Sequence, residues 1–206
     1  MDRVVDFYLI RHGLTEGNIR KQYIGWSDLP LHPDGVEALH ITRSLIPNVD
    51  MVWTSDLVRC VDTAAQLFPE KKARRTQLLR EIHFGDWEKH TYEDLKNNAL
   101  YRKWVSEPAS TAPPRGERYQ VFQSRVEHWL FRFFSELEEH QDRKNIAVIT
   151  HGGVIRELMR WLYGDSKPIW KWNAHPGGGY HLQMKQGRDQ TWTLLQAELI
   201  TVKVNG

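Results

Sequence analysis

Two short apolar runs in this chain end in the same way. Phe7-Tyr8-Leu9-Ile10 runs into Arg11-His12-Gly13, and Ile146-Ala147-Val148-Ile149-Thr150 runs into His151-Gly152-Gly153. A brief apolar run without polar alternation reads as a strand covered on both faces, as in a parallel sheet held between helices. In such sheets ligands bind at the carboxyl ends of the strands. Two histidines remote in sequence are therefore delivered to one crevice, and the first has an arginine directly before it. That pairing suits a phosphate held beside a nucleophilic imidazole.

The rest of the chain keeps a strand–helix rhythm. A polar loop covers Leu14 to Leu31, and Pro33-Asp34-Gly35 opens a helix to about Leu45. Val49 to Thr54 reads as a second buried strand, with Ser55-Asp56 as the cap of a helix from Leu57 to Phe68. A third strand is expected near Thr76-Gln77-Leu78-Leu79, ending at Arg80-Glu81. Tyr119 to Glu139 carries Val121, Phe122, Val126, Trp129, Leu130, Phe133 and Leu137 at helical spacing, a stripe expected to be buried. After the strand at 146–150 comes a helix from Val154 to Tyr163. Gly179 to Val204 reads as two or three strands with a turn at Lys185-Gln186-Gly187. The expected fold is α/β: a three-layer α/β/α sandwich with a mainly parallel central sheet. Residues 85–118 break the rhythm, being polar and rich in Trp, Tyr and Arg, with Pro108, Pro113 and Pro114. They are read as a small, mostly helical cap over the strand ends, inserted in a single domain spanning 1–206.

Composition narrows the function. With 206 residues and a net charge of +2, the chain shows no basic run of the kind that grips nucleic acid. It has neither a leader-like start nor a run of about 18 apolar residues, so no membrane span is expected. The single cysteine, Cys60, leaves no internal disulfide, which fits the cytoplasm, and no thiolate zinc site. Cys60 reads as a small buried residue on its helix. A cysteine phosphatase would need an arginine six residues on, where Gln66 stands, and no Walker-type loop is present. His175 and His181 flank Gly177-Gly178-Gly179 without a partner at metal-ligand spacing, so a flexible turn is expected there. The nine tryptophans read as core and cap packing, with an aromatic substrate wall as the alternative.

Four segments carry chemistry. Arg11, His12, Thr15 and Asn18 place a guanidinium, an imidazole, a hydroxyl and an amide on one loop. Arg59 falls in the first turns of a helix that follows a strand, where an anion is favoured. Glu81 lies beside an apolar stretch, a setting suited to a general acid. His151 ends the second run. A surface arginine–histidine pair, a solvated arginine and a structural carboxylate are the plain alternatives for these groups taken singly.

Together, Leu9-Ile10-Arg11-His12-Gly13-Leu14-Thr15-Glu16-Gly17-Asn18, Ser55-Asp56-Leu57-Val58-Arg59 with Thr63-Ala64, Glu81 to Glu88, and Thr150-His151-Gly152-Gly153 resemble the histidine phosphatase superfamily, in order and spacing, from about residue 5 to 163. The resemblance implies a phosphomonoesterase with His12 as the phosphorylated nucleophile. Arg11, Arg59 and His151 would hold the phosphoryl oxygens, and Glu81 would be the proton donor. It further implies substrate contacts from Asn18, Thr15, Gly25 and Gly152, and from Trp87, Tyr92 and Arg118 of the cap. No metal or cofactor is implied. The expected partner is a small-molecule phosphate ester, and the protein would be a monomer or homodimer.

Within that family, a broad-specificity phosphatase is placed ahead of an α-ribazole-5'-phosphate phosphatase of cobalamin biosynthesis. Mutases carry Glu-Arg-His-Tyr-Gly where this chain has Glu81-Ile82-His83-Phe84-Gly85, which argues against a phosphoglycerate mutase; a sugar bisphosphatase ranks with it. A non-catalytic phosphate-binding protein would be expected to lack part of the set His12, Arg59, Glu81 and His151. Lys89 stands where many relatives have glycine, and Trp170-Lys171-Trp172-Asn173 is a candidate border of the site.

Overall fold

The computed structural model describes residues 3–140, 142, 144–164 and 171–201. In chain order the elements are β1 (Arg3–Arg11), α1 (Glu16–Ile19), α2 (Pro33–Leu45), β2 (Met51–Ser55), α3 (Val58–Leu67), β3 (Arg74–Thr76), α4 (Tyr92–Leu95), α5 (Ala99–Ser106), α6 (Tyr119–Glu139), β4 (Asn145–Thr150), α7 (Gly152–Tyr163), β5 (Gly179–Gln186) and β6 (Trp192–Ile200). One six-stranded sheet runs in the order β3-β2-β4-β1-β5-β6. Its first four strands are parallel, and β5 and β6 add an antiparallel hairpin beside β1.

The pleat explains the three layers, because successive side chains of a strand point to opposite faces. Val5, Phe7 and Leu9 of β1 and Ile146 and Val148 of β4 pack with Phe133 and Leu137 of α6 and Ile155 and Leu158 of α7. Tyr8 and Ile10 of β1 and Ala147 and Ile149 of β4 pack on the other face with Leu39 of α2 and Cys60, Ala64 and Leu67 of α3. Each large apolar side chain so buried contributes about 1.5–3 kcal/mol relative to exposure. The unbroken apolar runs are thus the double-faced strands that the sequence suggests. Among the described residues no helix is long and apolar enough to cross a membrane.

Register sets the site. Ile10 pairs with Ile149 and Arg11 with Thr150, so His12 and His151 step off adjacent strands at the same level. His12 N donates to Thr150 O at 2.9 Å and locks that level.

Local departures have local causes. The third strand is Arg74–Thr76, earlier than expected, and Gln77–Leu79 is a 3-10 turn. Thr76 Oγ1 accepts Leu78 N at 3.2 Å and turns the chain there. Leu57, rather than Ser55 or Asp56, occupies the N-cap of α3 and makes no side-chain cap. Asp28 reaches in from the first loop to accept Val58 N at 2.8 Å, while Asp56 is drawn off by a bidentate pair with Arg80 at 2.7 and 2.6 Å. The C-terminal turn lies between Gln186 and Trp192, so Lys185 and Gln186, expected in the turn, belong to β5.

The glycine run 177–179 takes part in a turn, closed by Gly178 N donating to His175 O at 2.9 Å, and is packed as a strap on β1. Gly177 N donates to the carbonyls of Arg11 and His12, Gly178 O accepts Arg11 N at 2.8 Å, and Gly177 O accepts Thr42 Oγ1 at 2.8 Å. A Cβ on Gly179 would overlap the Leu9 carbonyl, so only glycine fits against β1. Residues 85–118 hold a 3-10 turn at Gly85–Trp87 with α4 and α5. Trp87 packs edge-on against Tyr101 and against Trp104, each at 5.4 Å, within a cluster that includes Tyr23 and Phe84.

Candidate active site

His12 is buried at the carboxyl end of β1. Its Nδ1 lies 2.8 Å from the carbonyl of Gly13, so Nδ1–H donates there and Nε2 keeps its lone pair. Burial, then the positive charges of Arg59 and Arg11, hold the imidazole pKa well below its ordinary value, against the smaller opposing pull of the Gly13 bond. The ring is therefore neutral and nucleophilic. Gly13 N in turn donates to Thr63 Oγ1 at 2.9 Å, and Thr63 Oγ1 donates to Arg59 O, which ties the His12 loop to α3.

Arg59 is fully buried. Its Nη1 and Nη2 donate to the carbonyls of Ser27 and Gly25 at 2.9 and 2.7 Å. Arg11 Nη1 donates to Ala174 O at 3.0 Å. The Nε of each guanidinium is buried without a hydrogen-bond partner, and among the described residues neither cation forms an ion pair. Buried cations are costly unless a counter-charge meets them. Two unpaired guanidiniums around a neutral imidazole make a cradle for a dianion.

A carboxylate fixes that cradle from behind. Glu88 accepts four backbone N–H bonds, from Trp26 and Phe84 at Oε1 (2.9 and 3.0 Å) and from Gly25 and Ser27 at Oε2 (3.0 and 3.1 Å). It shapes the loop whose carbonyls hold Arg59. The place of Glu88 in the cradle depends on the loop at residues 25–27, remote in the chain, and so carries no local signal in the sequence.

His151 is buried as the N-cap of α7, its ring centroid 5.2 Å from that of His12. Burial first, then Arg59, His12 and Arg11, hold its pKa well below the ordinary value. Its Nε2 lies 3.0 Å from Ser55 Oγ and 3.4 Å from Cys60 Sγ. Glu81 is half-buried, and its Oε2 and Oε1 accept the backbone N–H of Gly153 and Ile82 at 2.8 and 2.9 Å. A carboxylate at the first turn of α7 meets the positive end of the helix. A Cβ on Gly153 would overlap Glu81 Oε1, so the second glycine of the pair is required for that approach. The peptide of Glu81 is pinned as well, its carbonyl accepting Trp26 Nε1 at 3.0 Å and Arg125 Nη2 at 2.8 Å. Arg125 is itself clamped by Glu117 at 2.7 and 2.9 Å, a pair with no signal in the sequence.

The remaining candidates divide. Asn18 Oδ1 accepts from Thr15 N and Thr15 Oγ1 at 3.1 and 3.0 Å in a capping box of α1, which leaves its Nδ2 without an acceptor among the described residues. Gly25 is in place through its carbonyl on Arg59. A Cβ on Gly152 would lie 3.7 Å from the Arg11 guanidinium, so Gly152 sits against the cradle. The candidates from residues 85–118 make other contacts. Trp87 is buried in the aromatic cluster and Tyr92 is exposed beside Tyr101. Arg118 is the N-cap of α6 and borders a cavity of about 480 Å³ with Ala109, Thr111 and Val121. His181, read as part of a turn, lies on β5, stacks on Tyr8 at 4.8 Å and bonds Asp6 Oδ1 at 2.7 Å. Trp170 lies outside the described residues, and Trp172 packs against Tyr163 and Tyr180.

The model of the histidine phosphatase superfamily (branch 1) matches residues 7–197. The chain belongs to this family. An adenosylcobalamin/alpha-ribazole phosphatase of Escherichia coli (strain K12) is 33% identical over 177 residues, covering 82% of this chain and 85% of that protein. A broad-specificity phosphatase of Saccharomyces cerevisiae is 28% identical over 176 residues, covering 78% of this chain and 71% of that protein. The crystal structure of the alpha-ribazole phosphatase from Shigella flexneri superposes with a TM-score of 0.78 at 28% identity, covering 95% of this chain and 96% of that one. The family assignment agrees with the resemblance carried by the four motifs.

Proposed function

We propose that this protein hydrolyses monoesters of phosphoric acid on small organic molecules, through a phosphohistidine at His12 and without a metal. The observation that carries the reading is a neutral His12, its tautomer set by Gly13, between the guanidiniums of Arg11 and Arg59, each with a buried Nε that has no hydrogen-bond partner and neither forming an ion pair among the described residues. His12 Nε2 attacks phosphorus in line, and the bond from phosphorus to the ester oxygen breaks. Arg11, Arg59 and His151 donate to the phosphoryl oxygens and stabilise charge on them. Protonated Glu81 gives its proton to the leaving oxygen. Water then attacks the phosphohistidine, Glu81 takes the water's proton, the phosphorus–nitrogen bond breaks and inorganic phosphate leaves. The arginines supply the positive charge that a metal ion would otherwise bring. In this reading the 1–206 chain acts as one unit in the cytoplasm, with residues 85–118 as its cap, and nucleic acid plays no part.

Two substrate readings follow. The cap aromatics spend their faces on one another, which supports broad specificity. The likeness to the Escherichia coli and Shigella flexneri proteins supports an α-ribazole 5'-phosphate. Comparing kcat/KM for α-ribazole 5'-phosphate and p-nitrophenyl phosphate, in EDTA, separates them. A strong preference for the ribazole ester assigns the dedicated role, and comparable values assign the generalist. Turnover that survives in His12→Ala, or that is lost in EDTA, would overturn the mechanism.

A further inference from the structure

Ser55 closes β2 with its side chain fully buried, and its Oγ lies 3.0 Å from His151 Nε2. The direction of that bond decides what His151 can do. A neutral imidazole carries one proton, and the hydrogen bond made by one nitrogen sets the state of the other. Were the proton on Nε2, it would be spent on Ser55, and Nδ1 would turn a lone pair toward any phosphoryl oxygen. Were Ser55 the donor, the proton would sit on Nδ1 and His151 would be a hydrogen-bond donor while still neutral.

The surroundings of Ser55 favour the second arrangement. Leu57 N–H points at Ser55 Oγ at 3.4 Å, occupying a lone pair rather than the hydroxyl hydrogen. Burial pushes the Cys60 thiol pKa up, so Cys60 stays protonated, with Thr150 O at 3.6 Å and His151 Nε2 at 3.4 Å as acceptors for its weak S–H, and with Ser55 in hydrogen-bond contact with its sulfur. A protonated thiol is a weak acceptor, so the Ser55 hydroxyl hydrogen goes to the imidazole Nε2 in preference to Sγ. Nδ1, by contrast, has only Cys60 Sγ at 3.9 Å and no oxygen or nitrogen partner among the described residues. We propose that Ser55 is a positioning residue: its hydroxyl donates to His151 Nε2 and fixes the Nδ1–H tautomer, so that a neutral His151 presents a donor to the bound phosphoryl group. Its use in turnover rests on the phosphatase reading above; the tautomer itself does not.

The test is 15N NMR of the whole protein labelled at its histidine rings, with the His151 signals assigned by their loss in His151→Gln. The expected result at neutral pH is a pyrrole-type Nδ1 and a pyridine-type Nε2. A protonated Nε2 with an unprotonated Nδ1 overturns the proposal, whatever the protein's activity. In Ser55→Ala, checked for folding by its thermal melt, the tautomer preference should be lost and inorganic phosphate should bind about tenfold more weakly, the scale of one hydrogen bond. An unaltered tautomer and unaltered phosphate binding in that variant would also overturn it. Absence of any phosphatase activity in the wild type, with the Nδ1–H tautomer present, would sink the functional reading and leave this one standing.

Discussion

Replacing Glu88 with glutamine tests whether the phosphate cradle is built from behind by one carboxylate. The change keeps size and shape but turns one oxygen into an NH₂ group. Each oxygen of Glu88 accepts two backbone N–H bonds, one from loop residue Trp26 and one from Phe84 at Oε1, and Gly25 and Ser27 at Oε2. Whichever way the amide turns, two N–H groups then face a donor. Hydrogen bonds to a charged group are worth about 1.5–3 kcal/mol each, so two lost bonds set an upper limit of about 3–6 kcal/mol. Water can reach part of this loop, which brings the expected loss to roughly 2–3 kcal/mol. For a chain of this size that is a fall in Tm of about 5–10 °C. The carbonyls of Gly25 and Ser27 anchor Arg59, so their loosening should also lower kcat/KM by at least about tenfold, as expected when one charge-assisted contact in a preorganised site is misplaced. Differential scanning calorimetry and steady-state hydrolysis of p-nitrophenyl phosphate read the two effects. A Tm within about 1 °C of wild type together with unaltered kcat/KM would refute the reasoning.

Two further outcomes are expected. In Gly153→Ala the new methyl displaces only the end of Glu81, so the melt should stay near wild type while kcat falls. The fall should be steeper for an alkyl phosphate than for p-nitrophenyl phosphate, whose leaving group needs little protonation; equal losses on both would contradict the proton-donor role. The pKa values of His12 and His151 are both depressed by burial in the folded state, so the unfolded chain binds more protons below the ordinary histidine pKa of 6.5. Stability is then full above about pH 6.5 and is lost as pH falls from there toward the folded values. Urea midpoints should be lower at pH 5 than at pH 7.5, and the difference should shrink in His12→Gln; an equal difference in that variant would remove His12 from the account.

The sequence was most legible where one physical demand dominated. Burial on both faces made the β1 and β4 runs uniformly apolar, and their shared termination in His-Gly exposed the level at which Arg11, His12 and His151 meet. The long stripe of α6 gave its limits from Tyr119 to Glu139 for the same reason, although Val121, expected in the buried stripe, is exposed. Legibility failed where contacts came from far along the chain. Ser55 and Asp56 look like caps of α3, but Ser55 turns to His151, Asp56 to Arg80, and Asp28 caps the helix from the preceding loop. Among the described residues the short edge strand β3 pairs only with β2, so its polar Arg74-Arg75-Thr76 carries no apolar signal. The glycine strap looks flexible in sequence because glycine is permissive; here the same small size lets backbone pack on backbone. Lys89 shows the converse. It holds φ at 64°, a left-handed position where glycine would be unstrained, and its N–H donates to Tyr23 O at 2.8 Å.

The central claim is that His12 carries the phosphoryl group between the two half-reactions. Rapid-quench of the enzyme with a labelled phosphate monoester in EDTA, followed by peptide mapping, tests it most directly. The account predicts an acid-labile, alkali-stable phosphoryl group on the peptide containing His12, formed within the first turnover and absent in His12→Ala. Steady turnover with no phosphoenzyme, or with the label on another residue, would contradict it.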